Sequence, residues 1–170
     1  HNCGTLKYAR IEFAGFERAL SRHGLRGIVH EAAAYTREAG ARAAAHLLPP
    51  SQDISAVVAA NDLLALGVLD ALKARGLRCP DDLSLVGHND MPLMDVVSPP
   101  LTTVKMNMPD IATLALDALV EAIQSREASD DTPSPPVTAR KAAVPMELVI
   151  RRSSGPAPSA GFFEEESPHA

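Results

Sequence analysis

Residues 55–90 read SAVVAANDLLALGVLDALKARGLRCPDDLSLVGHND, and the reading of this stretch decides the fold. SAVVAA, 55–60, is a continuous run of small apolar side chains, the pattern of a strand buried on both faces of a parallel sheet. Asn61 or Asp62 can cap the helix that follows, and Gly76 can close it. Between them Leu63, Leu66, Leu69, Ala71 and Leu72 occupy most of the helix circumference. A helix this apolar is expected to be covered on two sides, by the sheet on one and by a partner subunit on the other. LSLVGH, 83–88, reads as a second buried strand. Strand, helix and strand joined by short connections build an α/β layer fold with a parallel sheet and right-handed crossovers.

The flanking chain extends the alternation. Upstream, Ile11, Phe13, Phe16, Ala19 and Leu20 predict a helix over 10–23 that stops at Gly24. GIVHE, 27–31, is a strand candidate, and a helix is expected from Tyr35 to Leu48, ended by Pro49 and Pro50 and weakened locally by Gly40. Downstream, SPPLTTVKMNMPDI, 98–111, reads as a stiff turn, a strand at Thr102–Val104 and a new helix with Pro109 in its first turn. That helix, 110–125, carries Ile111, Leu114, Ala115, Ala118, Leu119 and Ile123 on one face. A polar, proline-rich connection follows at 126–136, then one or two strands around 144–151. From Gly155 the chain lacks periodicity and is expected to be a disordered tail, 155–170.

Composition bounds what such a fold can do. The chain has 170 residues, 46% hydrophobic and 22% charged, enough for one core or slightly more. Aromatics are only 4%, so the core is expected to be built of Ala, Leu and Val. The formal net charge of −5 argues against a nucleic-acid surface on these residues, since phosphate affinity needs clustered Lys and Arg. Cys3 and Cys79 match no metal spacing and read as free thiols of a reducing cytoplasm. No apolar run approaches the roughly 20 residues of a bilayer crossing. There is no nucleophile elbow, phosphate loop or HExxH, so no catalytic residue, metal site or cofactor is expected.

Ligands of parallel α/β sheets sit beyond the carboxyl ends of the strands. Here those ends bring together 31–35, Asn61–Asp62 and 88–90, so three successive strands should deliver Tyr35, Asn61 and Asn89 to one rim. Asn61 offers both donors and an acceptor and reads as a ligand contact that can also cap. Asp62 reads first as the helix cap. Asn89 suits a turn and a ligand contact equally, and Tyr35 either stacks on a ligand or packs in the core.

The segments AANDLLALG, RGLRCPDDLSLVG, HND and PPLTTV together resemble the effector-binding domain of the lactose-repressor/galactose-repressor family of bacterial transcription regulators. ARIEFAGFERALSRHGL, YTREAGARAAAHLL and MELVIRRSS extend the resemblance over residues 8–154. It implies a periplasmic-binding-protein-like fold of type I, in which two α/β subdomains clamp a small polar effector, a sugar or nucleobase. Residues 1–154 would be a fragment of that domain, mostly the C-terminal subdomain, with about 105–145 belonging to a truncated N-terminal subdomain. VSPPLTTVKMNM would be one of the crossings between the two. The resemblance implies effector contacts at Tyr35, Asn61, Asp62 and Asn89, the last in a Gly-aromatic-Asp-Asp turn that here reads GHND. The family's helix arginine falls on Glu12, leaving Arg10, two residues earlier, as a substitute. It further implies a cytoplasmic homodimer, formed through LLALGVLDALKARG and residues 92–97. Operator DNA would be bound only through a head domain outside this chain, which would then be a C-terminal fragment with the helix 110–125 partly uncovered. A periplasmic-type sugar transport receptor is the alternative, against which PPLTTV and the thiols argue, and an enzyme is the third reading.

Overall fold

The computed structural model describes residues 3–48, 54–127 and 142–157. In chain order the elements are α1 (Cys3–Arg22), α2 (Arg37–Leu47), β1 (Ala56–Val58), α3 (Asp62–Ala74), β2 (Ser84–Asn89), β3 (Thr102–Lys105), α4 (Met108–Glu127) and β4 (Glu147–Val149). The sheet order is β1-β2-β3-β4. β1, β2 and β3 run parallel, with Val58 opposite Val86 and Asn89 opposite Lys105, and β4 closes the sheet antiparallel to β3. The expected α/β layer fold with a largely parallel sheet is therefore what the chain forms.

The local signals in the sequence set most boundaries. Thr36 caps α2, its hydroxyl accepting from the Ala39 N–H, and Asn61 caps α3. Gly24 and Gly76 take positive φ just past α1 and α3, where a side chain would be strained. The turn before β3 contains a cis Ser98–Pro99 bond, and the Asn107 side chain accepts from the Asp110 N–H at the start of α4.

The core lies between one face of the sheet and the α2–α3 pair. It consists of Leu, Val and Ala, with Leu64, Ala65, Val68, Leu69 and Leu72 of α3 packed on Val57, Leu83, Leu85 and Leu101. A second side of α3 is covered by α2 of the same chain, a contact that the apolar circumference alone did not name. Gly40 and Gly67 explain the close approach. A Cβ at Gly40 would lie 2.2 Å from the Leu64 carbonyl oxygen, and one at Gly67 2.0 Å from that of Arg37. Gly40 is thus the contact point of the helix, not a weak spot in it.

Three further expectations are corrected. Residues 27–31 form no strand; Ile28 and Val29 are more than half exposed, and β1 pairs only with β2 on that side of the sheet. A strand persists only by pairing, and its β-branched residues found no ladder to join. β1 is not buried on both faces, since Ala56 and Val58 are exposed and only Val57 is enclosed. The chain does not lose its structure at residue 155: the Gly155 N–H donates to the Ser84 hydroxyl, which in turn donates to the Gly155 carbonyl. Residues 158–170, the remainder of the expected tail, lie outside the described residues, as does the connection at 128–136.

The helices α1 and α4 stand apart from this core. On α4, Leu116, Leu119 and Ile123 are each about half exposed, as expected for a helix whose apolar face the described residues do not cover.

Candidate functional site

Asn61 and Asn89 each stand three residues beyond the paired Val58 and Val86, so the parallel register brings them to the same end of the sheet. Asn61 is buried, with its side-chain oxygen accepting the Leu64 N–H at 2.8 Å. The cap is therefore Asn61, one residue before the position first expected to hold it.

Asp62 is not an open contact. It is fully buried, and its two carboxylate oxygens accept from the Met91 N–H and the Thr103 hydroxyl, each at 2.7 Å. One side chain thus ties the first turn of α3 to β3 and to the turn after β2. Gly87 makes room for it; a Cβ there would lie 2.3 Å from Asp62 Oδ1. The expected effector contact at Asp62 is corrected accordingly: no surface of this carboxylate remains for a ligand.

The turn after β2 is strained into shape. Asn89, Asp90 and Leu93 all have positive φ, at 110°, 54° and 76°. Asn and Asp accept this region more readily than other side chains; Leu does so rarely. The Asn89 side-chain oxygen lies 2.9 Å from His88 Nδ1. Asp90 pairs with Arg151 at 2.8 Å, both largely enclosed, and its N–H donates to the Thr103 hydroxyl. The Arg151 guanidinium also donates to the Leu101 carbonyl.

Tyr35 is 46% exposed, directly before the α2 cap Thr36. It is neither in the core nor delivered by a strand, so two strands, not three, converge on the rim. Arg10 lies in α1, in the stretch whose side chains are outside the described residues.

Sequence reasoning missed Ser153, at the amino ends of β2 and β3, and the ion pair that fixes Asp90 at the rim. Ser153 is fully buried where β2 and β3 diverge; its hydroxyl donates to the Leu85 carbonyl and accepts the Thr102 N–H, while its carbonyl accepts the Leu85 N–H. Nothing in RRSS distinguishes this serine from its neighbour Ser154. Asp90 and Arg151 are 61 positions apart and only the fold pairs them.

Elsewhere, burial pushes the Cys79 thiol up to about 11, against a lesser opposing hydrogen bond with the Leu85 backbone. On the outer surface the hydrogen bond with Arg37 holds the Asp70 carboxyl below its usual range. Among the described residues no group of His, Cys, Asp and Glu could hold a metal ion, and no helix is long and apolar enough to cross a membrane.

A parallel sheet with polar residues at its carboxyl rim, backed by paired helices, defines a ligand-binding α/β domain, and residues 1–154 match the family described as periplasmic binding protein-like domain. A curated relative, the HTH-type transcriptional regulator MalR of Streptomyces coelicolor, is 39% identical over 124 residues, covering 73% of this chain and 33% of the regulator. Among solved structures, the Lac repressor dimer bound to operator and the anti-inducer ONPF is similar, with a TM-score of 0.73 at 27% identity. That match covers 86% of this chain and 48% of the repressor. A LacI family regulator from Enterococcus faecium with bound ribose has a TM-score of 0.71 at 25% identity, covering 88% of this chain and 52% of that one. The chain belongs to the lactose-repressor/galactose-repressor family, as part of its effector-binding domain. It spans about a third of the length of the curated regulator and about half of the solved chains.

Proposed function

We propose that this chain is the effector-sensing and dimerising portion of a cytoplasmic transcription regulator that responds to a small polar molecule, a sugar in the first instance. The observation that carries the reading is the placement of Asn61 and Asn89 at one end of a parallel sheet, where α/β proteins take their ligands. The ribose in the Enterococcus faecium regulator supports a sugar, and the operator-bound Lac repressor dimer supports dimerisation and DNA control. The chemistry is binding rather than catalysis. The effector meets Asn61, Asn89 and Tyr35, with Arg10 a further candidate contact, and shifts the balance between two orientations of the subdomains.

In this reading residues from about 105 to 145 belong to the second subdomain, which accounts for the apolar surface of α4 left open by the first. The dimer forms through the α3 side of the molecule and residues 92–97, where Leu93 and Val96 are about two-thirds exposed. Operator DNA is contacted by a head domain and not by these residues, whose net charge is −5.

The test is titration calorimetry of the full-length protein against pentoses, hexoses and nucleobases, with Asn89→Ala beside it. One member of the panel should bind, and the variant should bind it about tenfold or more weakly, the effect of losing one good hydrogen bond. Unchanged affinity in the variant would remove Asn89 from the site.

A further inference from the structure

We infer that Arg151 is a positioning residue of the effector site, acting through Asp90 to hold the turn that presents Asn89; the inference rests on Asn89 being an effector contact. Asn89 and Asp90 have φ of 110° and 54°. Residues other than glycine seldom adopt positive φ, and such conformations persist only where surrounding contacts impose them. The turn is therefore held in this shape by restraints from elsewhere in the fold.

On the strand side, the β2 ladder holds Asn89 opposite Lys105. On the far side, the Met91 N–H donates to Asp62, and the Asp90 N–H donates to the Thr103 hydroxyl across a long 3.3 Å. The side chain of Asp90 is gripped by Arg151, with Nη2 at 2.8 Å from Oδ1. Arg151 serves as the anchor because it is itself fixed to β3. Its N–H donates to the Thr102 hydroxyl at 2.9 Å, and its Nη1 donates to the Leu101 carbonyl at 2.8 Å. One guanidinium thus spans the start of β3 and the turn after β2, a use that its planar fork of donors allows. Both partners are largely enclosed, so the pair is screened less than the exposed pair of Arg37 and Asp70. A side chain that binds a ligand has to be held within about 0.5 Å of its working position. Without Arg151, Asp90 relaxes from positive φ, and the peptide that joins it to Asn89 turns with it. Asn89 is then still present but no longer aimed.

Titration calorimetry of the full-length protein with D-ribose, D-glucose, D-galactose, adenine and guanine tests this, on the parent, Asn89→Ala, Arg151→Ala and the double variant. Asn89→Ala should weaken the bound compound about tenfold, the effect of losing one hydrogen bond. Arg151→Ala should weaken it to a similar degree with Asn89 intact. The double variant should bind no more weakly than Asn89→Ala, because both substitutions remove the same contact. Asp90→Gly accepts positive φ and removes only the side chain that Arg151 grips, so it repeats the test if Arg151→Ala fails to fold. It too should weaken binding about tenfold and add nothing to Asn89→Ala. A lowered urea midpoint with unchanged affinity in Arg151→Ala and Asp90→Gly marks a purely structural role and overturns the inference. A double variant about a hundredfold weaker than the parent overturns it as well, and either result leaves the effector-sensing reading standing. Unchanged affinity in Asn89→Ala removes Asn89 from the site and the inference with it, and absence of binding by all five compounds overturns both readings.

Discussion

Replacing Asp62 by alanine removes two acceptors from the interior and leaves two donors behind. The Thr103 hydroxyl is fully buried and the Met91 N–H partly so, and each loses a 2.7 Å hydrogen bond. A buried donor left without a partner costs about 1–3 kcal/mol. The partly exposed Met91 N–H falls at the low end, and the Thr103 hydroxyl in the middle of the range. A carboxylate in the first turn of α3 adds about 0.5 kcal/mol from the helix dipole. Relief from burying the carboxylate offsets part of the sum, leaving a net loss of about 3 kcal/mol. Asp62→Asn keeps one acceptor for Met91, and its amide can donate to a rotated Thr103 hydroxyl, so its loss should be near 1 kcal/mol. Urea unfolding of the full-length protein, with slopes of about 1–3 kcal/mol per molar, resolves a difference of that size as a midpoint shift of about 1 M. Amide exchange at Met91 should quicken in the alanine variant. An Asp62→Ala midpoint equal to that of Asp62→Asn, or within about 1 kcal/mol of the parent protein, would refute the argument that this carboxylate ties α3 to β3 and the turn after β2.

Gly67→Ala places a methyl 2.0 Å from the Arg37 carbonyl oxygen, so α2 and α3 must separate; a loss of about 2 kcal/mol or more is expected by urea unfolding, despite the gain in helix propensity. Arg151→Ala leaves Asp90 largely enclosed without its cation and should destabilise by about 2 kcal/mol, whereas Arg37→Ala breaks an exposed pair with Asp70 and should fall below about 1 kcal/mol on the same assay. Cys79 binds its proton more tightly folded than unfolded, since burial raises it from 9.0 to about 11. The folded state therefore holds more protons between those values, and stability falls as pH rises through that window and is unaffected below it. The parent should lose urea midpoint between pH 8 and pH 10.5 by more than Cys79→Ser does, and its thiol should react slowly with iodoacetamide at pH 8 until urea unfolds it.

The elements that local chemistry specifies were legible. The caps and stops around α3, the turn and strand after Pro100, and the helix after Asn107 follow from residue types within a few positions of one another. The rim was legible to the same extent, because in parallel strands of known ends the register alone brings Asn61 and Asn89 to one side. The strand at 27–31 was not, because β-branched residues state a preference that only a neighbouring ladder can realise. The cap was placed on Asp62 rather than Asn61 for a related reason. Adjacent residues at a helix start are alike in sequence, and only the position of β3 and of the Met91 turn shows which one faces inward.

Alternation of apolar runs with capped helices, together with the segments shared with a regulator family, thus sufficed for the α/β architecture and for the meeting of Asn61 and Asn89 at one end of the sheet. Tertiary structure alone decided that α2 covers α3, that Ser153 fills the opening between β2 and β3, and that Arg151 holds Asp90. The reason is distance along the chain. Secondary structure and caps are satisfied within a turn or two of the backbone, whereas burial, pairing and the engagement of each polar atom depend on residues tens of positions away that the fold brings into contact.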